Sequence, residues 1–246
     1  MKGKTEKSFI KHELLWDVAY SQAYAYRIKH PQARIVGIDM YAGDGQGVEL
    51  PQMDLFKTEC SPTTPQLLVG IAEKLSFSRV ILCESNGKRR SQLKKRIHAS
   101  LPVEVIGDNS NIRDIDLTGY DWGLVVSDPC GHAAYKDVSP LPLSADYVLT
   151  FNQGSLNRHL GMADGPIASD SERTRRVRDR KSDYAWMEEL PEWQRRLARR
   201  YGARSRLIPQ SPEFRFRILV FANALGDFVG RGRKLKWEIY DARRTG

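Results

Sequence analysis

Four short apolar runs, each closing on a carboxylate, constrain this chain more than any other feature. Residues 34–40, 80–84, 103–108 and 122–128 are rich in Val, Ile and Leu and end at or beside Asp39, Glu84, Asp108 and Asp128. Runs this short and this continuously apolar are expected of strands buried on both faces. Helical segments are expected between them, over residues 61–75, where Ser61 would cap and Pro62 would open the first turn, and over residues 87–98. A fifth strand is expected over residues 146–151. Strands separated by helices imply right-handed crossovers and a mostly parallel α/β sheet with helices on both faces. In such a sheet the carboxyl ends of the strands converge on one crevice. Helix capping could account for Asp39 and Asp108, but hardly for Glu84, just before Gly87-Lys88-Arg89-Arg90.

The remaining segments fit the same plan. Leu14, Leu15, Val18, Ala19, Ala23, Tyr26 and Ile28 recur at helical steps over residues 9–29, and Pro31 stops the helix. After Asn152 a long polar stretch leads to a helix over residues 183–201, strands over 204–208 and 215–222, and a basic tail with a short strand over 235–240. A chain of 246 residues without internal repeats reads as one domain, 1–246. Within it lie an N-terminal helix (9–30), a cofactor-binding core (34–151) and a substrate-facing region (152–246). No apolar run reaches 18 residues, and no secretory leader is evident. Cys60, Cys83 and Cys130 are odd in number and lack metal-ligand spacing, so neither a disulfide frame nor a metal site is expected. The expected compartment is the cytoplasm.

The first strand runs into Ile38-Asp39-Met40-Tyr41-Ala42-Gly43-Asp44-Gly45-Gln46-Gly47. Glycines there let the backbone take positive φ and approach a ligand, although a tight turn alone would also use them. Together with the later acids, the pattern predicts a Rossmann-like pocket for S-adenosylmethionine. Asp39, Tyr41, Ala42, Gly43, Gly45 and Gly47 would line it. Glu84 would take the ribose hydroxyls, Asp108 and Asn109 the adenine, and Asp128 would stand near the methyl. A nicotinamide dinucleotide fits less well, because the spacing is GxGxG and no acid follows about 20 residues on.

Ser127-Asp128-Pro129-Cys130-Gly131-His132 looks like a variant of the Asp-Pro-Pro-aromatic signature of amino methyltransferases. That likeness implies that Asp128 and Pro129 orient an exocyclic amine by hydrogen bonds, so that catalysis is mostly alignment. Cys130 replaces the second proline, and His132 or Tyr135 would supply the stacking face for an extruded base. Cys130 could instead fill core space, or act as the nucleophile of a cytosine-C5 enzyme; no Glu-Asn-Val segment supports the latter.

Lys11-His12-Glu13-Leu14-Leu15, Asp39-Met40-Tyr41-Ala42-Gly43, Ser61-Pro62, Cys83-Glu84 and Asp128-Pro129-Cys130-Gly131 together resemble the three-Cys-motif partner family. The resemblance covers residues 9–135 and departs from the family pattern at Tyr41, Cys60 and Cys130. It implies a class I methyltransferase fold, a cofactor pocket at Asp39, Gly43 and Glu84, and a partner protein with a three-cysteine, radical-SAM-like motif in phage-related settings.

Charge points toward the acceptor. Thirty-nine Lys and Arg against 30 Asp and Glu give a net +9, which favours polyanionic partners. Residues 171–181, SERTRRVRDRK, are expected to contact phosphates through Arg173, Arg175 and Arg176, and Asn152 is expected to line the pocket. The reading is a methyltransferase acting on nucleic acid, DNA or RNA, at the exocyclic amine of a base, adenine N6 favoured. The alternatives are a protein or small-molecule acceptor, or a non-catalytic cofactor-binding subunit.

Overall fold

Among the described residues of the computed structural model, ten strands and three helices follow one another. Their order is α1 (Glu6–Lys29), β1 (Ile35–Asp39), β2 (Val48–Glu49), β3 (Cys60–Ser61), α2 (Thr64–Lys74), β4 (Arg79–Cys83), α3 (Gly87–Arg96), β5 (Val103–Ile106), β6 (Trp122–Ser127), β7 (Ala145–Asn152), β8 (Arg204–Ile208), β9 (Phe216–Ala222) and β10 (Glu238–Asp241). The structure describes residues 6–46, 48–49, 60–61, 63–107, 112, 114–129, 141–152, 204–208, 216–222 and 238–241.

Eight strands form one sheet in the order β10-β8-β9-β7-β6-β1-β4-β5, and β2 pairs with β3 apart from it. The five strands β5-β4-β1-β6-β7 are parallel to their neighbours. β9 then runs antiparallel to both β7 and β8, and β10 antiparallel to β8. From β1 the chain winds outward through β4 and β5, then returns to the other side of β1 at β6. That reversal is the topological switch point, where an open α/β sheet leaves a crevice beyond the carboxyl ends of its strands.

The apolar runs fill two cores, one on each side of the sheet. Ile35, Val80, Leu82, Leu124, Val126 and Val148 pack with Leu15, Val18 and Ala19 of α1, Leu68 and Ile71 of α2, and Leu93 of α3. Val36, Ile38, Ile81, Cys83, Val125 and Leu149 pack on the other side with Ile112 and Leu117. Odd and even residues of one strand thus enter different cores, which explains why these strands read as continuous rather than alternating. Arg27 fastens α1 to the rest, its guanidinium donating to the carbonyls of Leu75 (2.9 Å), Ser76 (2.8 Å), Pro31 (2.8 Å) and Ala33 (2.9 Å).

The strand positions expected from sequence stand within a few residues, and the start of α2 is displaced by two. Ser61 lies in β3, opposite Val48, and Thr63 caps the helix instead. The Gln66 carboxamide oxygen accepts from the Thr63 N–H (2.8 Å) and hydroxyl (3.0 Å), and Pro65 sits in the first turn. Thr63-Thr64-Pro65 wins over Ser61-Pro62 because only it places a Gln at the third helical position, where a capping box closes. The expected helix over 183–201 lies outside the described residues. Among the described residues, no helix is long and apolar enough to cross a membrane.

Two glycines of the turn after β1 have positive φ, +65° at Gly43 and +68° at Gly45, but different surroundings. A Cβ on Gly45 would stand 2.9 Å from Leu93 Cδ1, whereas nothing lies within 4 Å of one on Gly43. Gly45→Ala is therefore expected to cost about 2–4 kcal/mol, from strain and overpacking together, and Gly43→Ala about 1–2 kcal/mol from strain alone. Urea unfolding of both variants checks this; equal losses would contradict the packing difference.

Candidate active site

Three carboxylates meet at the switch point. Asp39 ends β1, Glu84 follows the last residue of β4, and Asp128 follows the last residue of β6; all three are buried. Backbone bonds fix the loops that carry them: Met40 N–H donates to the Val126 carbonyl (2.9 Å), Ala42 N–H to that of Cys83 (2.9 Å), and Glu84 N–H to that of Ile106 (3.2 Å). Each acid meets a different environment.

Asp39 is completely buried, with Oδ1 accepting from the Tyr41 N–H (2.9 Å) and Oδ2 without a hydrogen-bond partner among the described residues. Burial pushes its carboxyl up to about 7; the Tyr41 N–H and Lys11 pull against this, and the negative charges of Asp128 and Glu84 add to it. Glu84 accepts from the Asn86 N–H (2.7 Å), while Asn86 caps α3 by accepting from the Arg89 N–H (3.0 Å). Arg90 clamps the tips of β4 and β5, donating to the carbonyls of Glu84 (2.8 Å) and Gly107 (3.4 Å).

Asp128 is the most heavily bonded of the three. Its Oδ2 meets Lys11 Nζ at 2.5 Å, the Thr64 hydroxyl at 3.1 Å and His12 Nε2 at 3.5 Å. Thr150 donates its hydroxyl to Oδ1. Burial would raise this carboxyl, but the Lys11 charge and the hydrogen bonds from His12, Lys11 and Thr150 overcome it and hold Asp128 well below the usual carboxylate range. His12 Nδ1 is buried with no partner among the described residues.

The site residues expected from sequence divide into three groups. Asp39, Tyr41, Ala42, Gly43, Gly45, Glu84, Asp128 and Pro129 lie at the ends of β1, β4 and β6 or in the segments that follow them. Asn152 closes β7 opposite Phe216, its side chain outside the description. Gly47, Asp108, Asn109, Cys130, His132, Tyr135, Arg173, Arg175 and Arg176 lie outside the described residues. The expectation that β5 runs to Asp108 is corrected: the strand ends at Ile106.

Lys11, His12, Thr64 and Thr150 were not expected at the site. One signal was present for Lys11: it stands four residues before Leu15, on the stripe continuing through Val18, Ala19 and Gln22. A polar residue on a buried helix stripe needs a buried partner. Gln22, the other interruption, meets one too, its Nε2 donating to Asp146 Oδ2 at 3.0 Å.

No family model and no curated protein matches this chain. Solved structures do. A Legionella pneumophila protein of the DUF519 family superposes with a TM-score of 0.57 over 93% of this chain and 96% of its own, at 15% identity. The fold is Rossmann-like α/β. Weaker likenesses include Trm1 of Pyrococcus horikoshii in complex with S-adenosyl-L-methionine (TM-score 0.48, 12% identity, 94% of this chain and 63% of that one). The plantazolicin methyltransferase BpumL in complex with SAH is another (0.47, 13%, 89% and 86%). At such identities the likeness reaches the fold and no further.

Two outcomes follow from the electrostatics. Lys11→Met leaves the Asp128 charge buried and uncompensated and is expected to cost about 3–5 kcal/mol, while Lys11→Met with Asp128→Asn regains most of it. A double-mutant cycle by denaturant unfolding checks this; additive losses would dissolve the pair. Asp39 binds its proton more tightly folded (about 7) than at its ordinary value of 3.8, so the native state holds more protons across that window and loses stability as pH rises through it. Asp39→Asn should flatten this fall between pH 5 and 7, and an unchanged slope would refute the assignment.

Proposed function

We propose that the protein is an S-adenosylmethionine-dependent methyltransferase whose acceptor is the exocyclic amine of a base in nucleic acid, adenine N6 favoured. One observation carries the reading: three buried carboxylates converge at the switch point beside an open glycine turn, and one of them, Asp39, has an unpartnered buried oxygen. Such an orphan acceptor suits a ligand that brings a donor or a cation. The cofactor would be held by Asp39, Tyr41, Ala42, Gly43, Gly45, Gly47, Glu84, Asp108 and Asn109. When bound, it supplies an electrophilic methyl on a sulfonium.

The chain's own residues then do the alignment. Lys11 keeps Asp128 ionised, so its carboxylate accepts hydrogen bonds rather than donating one. With Oδ2 occupied by Lys11, Thr64 and His12, Oδ1 keeps a lone pair beyond the one Thr150 uses. An acceptor N–H directed to Oδ1, with the second on the Pro129 carbonyl, would turn the nitrogen lone pair toward the methyl. Cys130, His132, Tyr135 and Asn152 would border the base, and Arg173, Arg175 and Arg176 the phosphates. The resemblance to the three-Cys-motif partner family adds a partner protein to this reading.

The four donors around Asp128 also suit a purely structural carboxylate, and so favour a second reading: a cofactor-binding protein with a protein or small-molecule acceptor, or with none. Tritium transfer from labelled S-adenosylmethionine to total DNA, RNA and lysate proteins separates these, followed by nucleoside analysis. Label in a base amine is expected. Asp128→Ala combined with Lys11→Met, which leaves no buried cation stranded, should lower turnover by about 10²-fold relative to the unsubstituted protein while cofactor affinity stays within about threefold. Label only in protein, or turnover indifferent to Asp128, would overturn the proposal.

A further inference from the structure

The helix α3 presents a charge arrangement that neither the fold nor the crevice uses. Between Glu84 and Glu104 the chain has no acid and carries Lys88, Arg89, Arg90, Lys94, Lys95 and Arg96, all within α3. Two of the six serve the body of the protein. Arg90 donates to the carbonyls of Glu84, Ser85 and Gly107, and Arg96 to that of Asp44 (2.9 Å). Lys88, Arg89, Lys94 and Lys95 are exposed.

Their placement is specific. Leu93 is the helix's buried residue, and Lys88, Ser91 and Lys95, at helical spacing, stand on the face opposite it. Lys94 flanks that face, and Arg89, one turn before Leu93, is exposed at the start of the helix. The helix is also part of the crevice wall. Its N-cap, Asn86, bonds Glu84, while Leu93 packs where a Cβ on Gly45 would go and Arg96 holds Asp44 in the glycine turn. The exposed cations of α3 thus sit on an element that adjoins the glycine turn and the tip of β4.

Helix formation favours only part of this arrangement, because Lys94, Lys95 and Arg96 in the last turn complement the helix dipole. Three cations in the first turn oppose the helix dipole, which prefers anions there. Like charges three and four residues apart repel, and no acid on the helix relieves them. A run of anions along the face relieves both at once.

We propose that the outward face of α3 docks the phosphodiester backbone of the nucleic acid whose base enters the crevice. Lys88, Arg89, Lys94 and Lys95 neutralise phosphates, and Ser91 lies among them as a hydrogen-bond donor. The proposal rests on the nucleic-acid reading above and adds to it a surface among the described residues.

The test uses the full chain and a K88A/R89A/K94A/K95A variant, in which alanine keeps the helix favourable. A fluorescein-labelled 30-nucleotide RNA of mixed sequence and the same sequence as duplex DNA serve as probes, titrated from 50 to 300 mM salt by anisotropy. Circular dichroism melting confirms folding, and a K88E/K95E variant repeats the test by charge reversal. The quadruple variant should bind at least about tenfold more weakly at moderate salt, with a salt slope shallower by about 3 for four lost contacts, and unchanged S-adenosylmethionine titration. Unchanged affinity and slope in both variants would overturn the docking surface. So would equal binding of poly-glutamate, which would make the partner an acidic peptide. Nucleic-acid binding without cofactor binding would sink the methyltransferase reading and leave this surface standing; cofactor binding without nucleic-acid binding would do the reverse.

Discussion

The buried pair of Lys11 and Asp128 is the constraint around which the crevice is organised. Taking two charges out of water costs several kcal/mol per ion, and the attraction between them offsets this only when geometry is close and the remaining lone pairs are satisfied. Both conditions hold here: Nζ stands 2.5 Å from Oδ2, and Thr64, His12 and Thr150 complete the shell. The pair joins residues 117 positions apart, so the N-terminal helix is a structural part of the crevice floor. It also settles how three neighbouring acids coexist. Lys11 cancels Asp128, Glu84 is bonded by the Asn86 N–H, and Asp39, deepest and without a cation of its own, takes the cost as a raised affinity for a proton.

The sheet was largely legible in the sequence, because burial on both faces leaves a strong mark. Val36 and Ile38 enter one core, and Ile35 on the same strand enters the other, so no polar alternation interrupts the run. Helix starts were less legible where two capping chemistries compete. Ser61-Pro62 and Thr63-Thr64-Pro65 both offer a cap and a proline, and only the Gln66 bond separates them. A side chain three residues further on decided the boundary.

The site shows the same division. Asp39, Glu84 and Asp128 could be read from the chain because strand topology alone brings strand tips together. Lys11, His12, Thr64 and Thr150 could not, because their approach depends on how α1 and α2 lie across the sheet, and side-chain pattern does not encode that angle. The buried stripe of α1 gives the fact of a partner for Lys11 without its identity.

Charge is distributed over this molecule in opposite senses at short range. The crevice floor is made of carboxylates, one of them with an unpartnered oxygen, while the α3 wall beside it carries cations and no acid. A basic chain of net +9 has no electrostatic reason to concentrate buried acids at one point unless something cationic completes them. Nor do Lys88 and Arg89, in the first turn of α3, gain from the helix dipole, and an anion beside them would relieve the repulsion. The proposed sulfonium and ammonium cofactor in the crevice, with the proposed phosphate backbone against α3, would answer both.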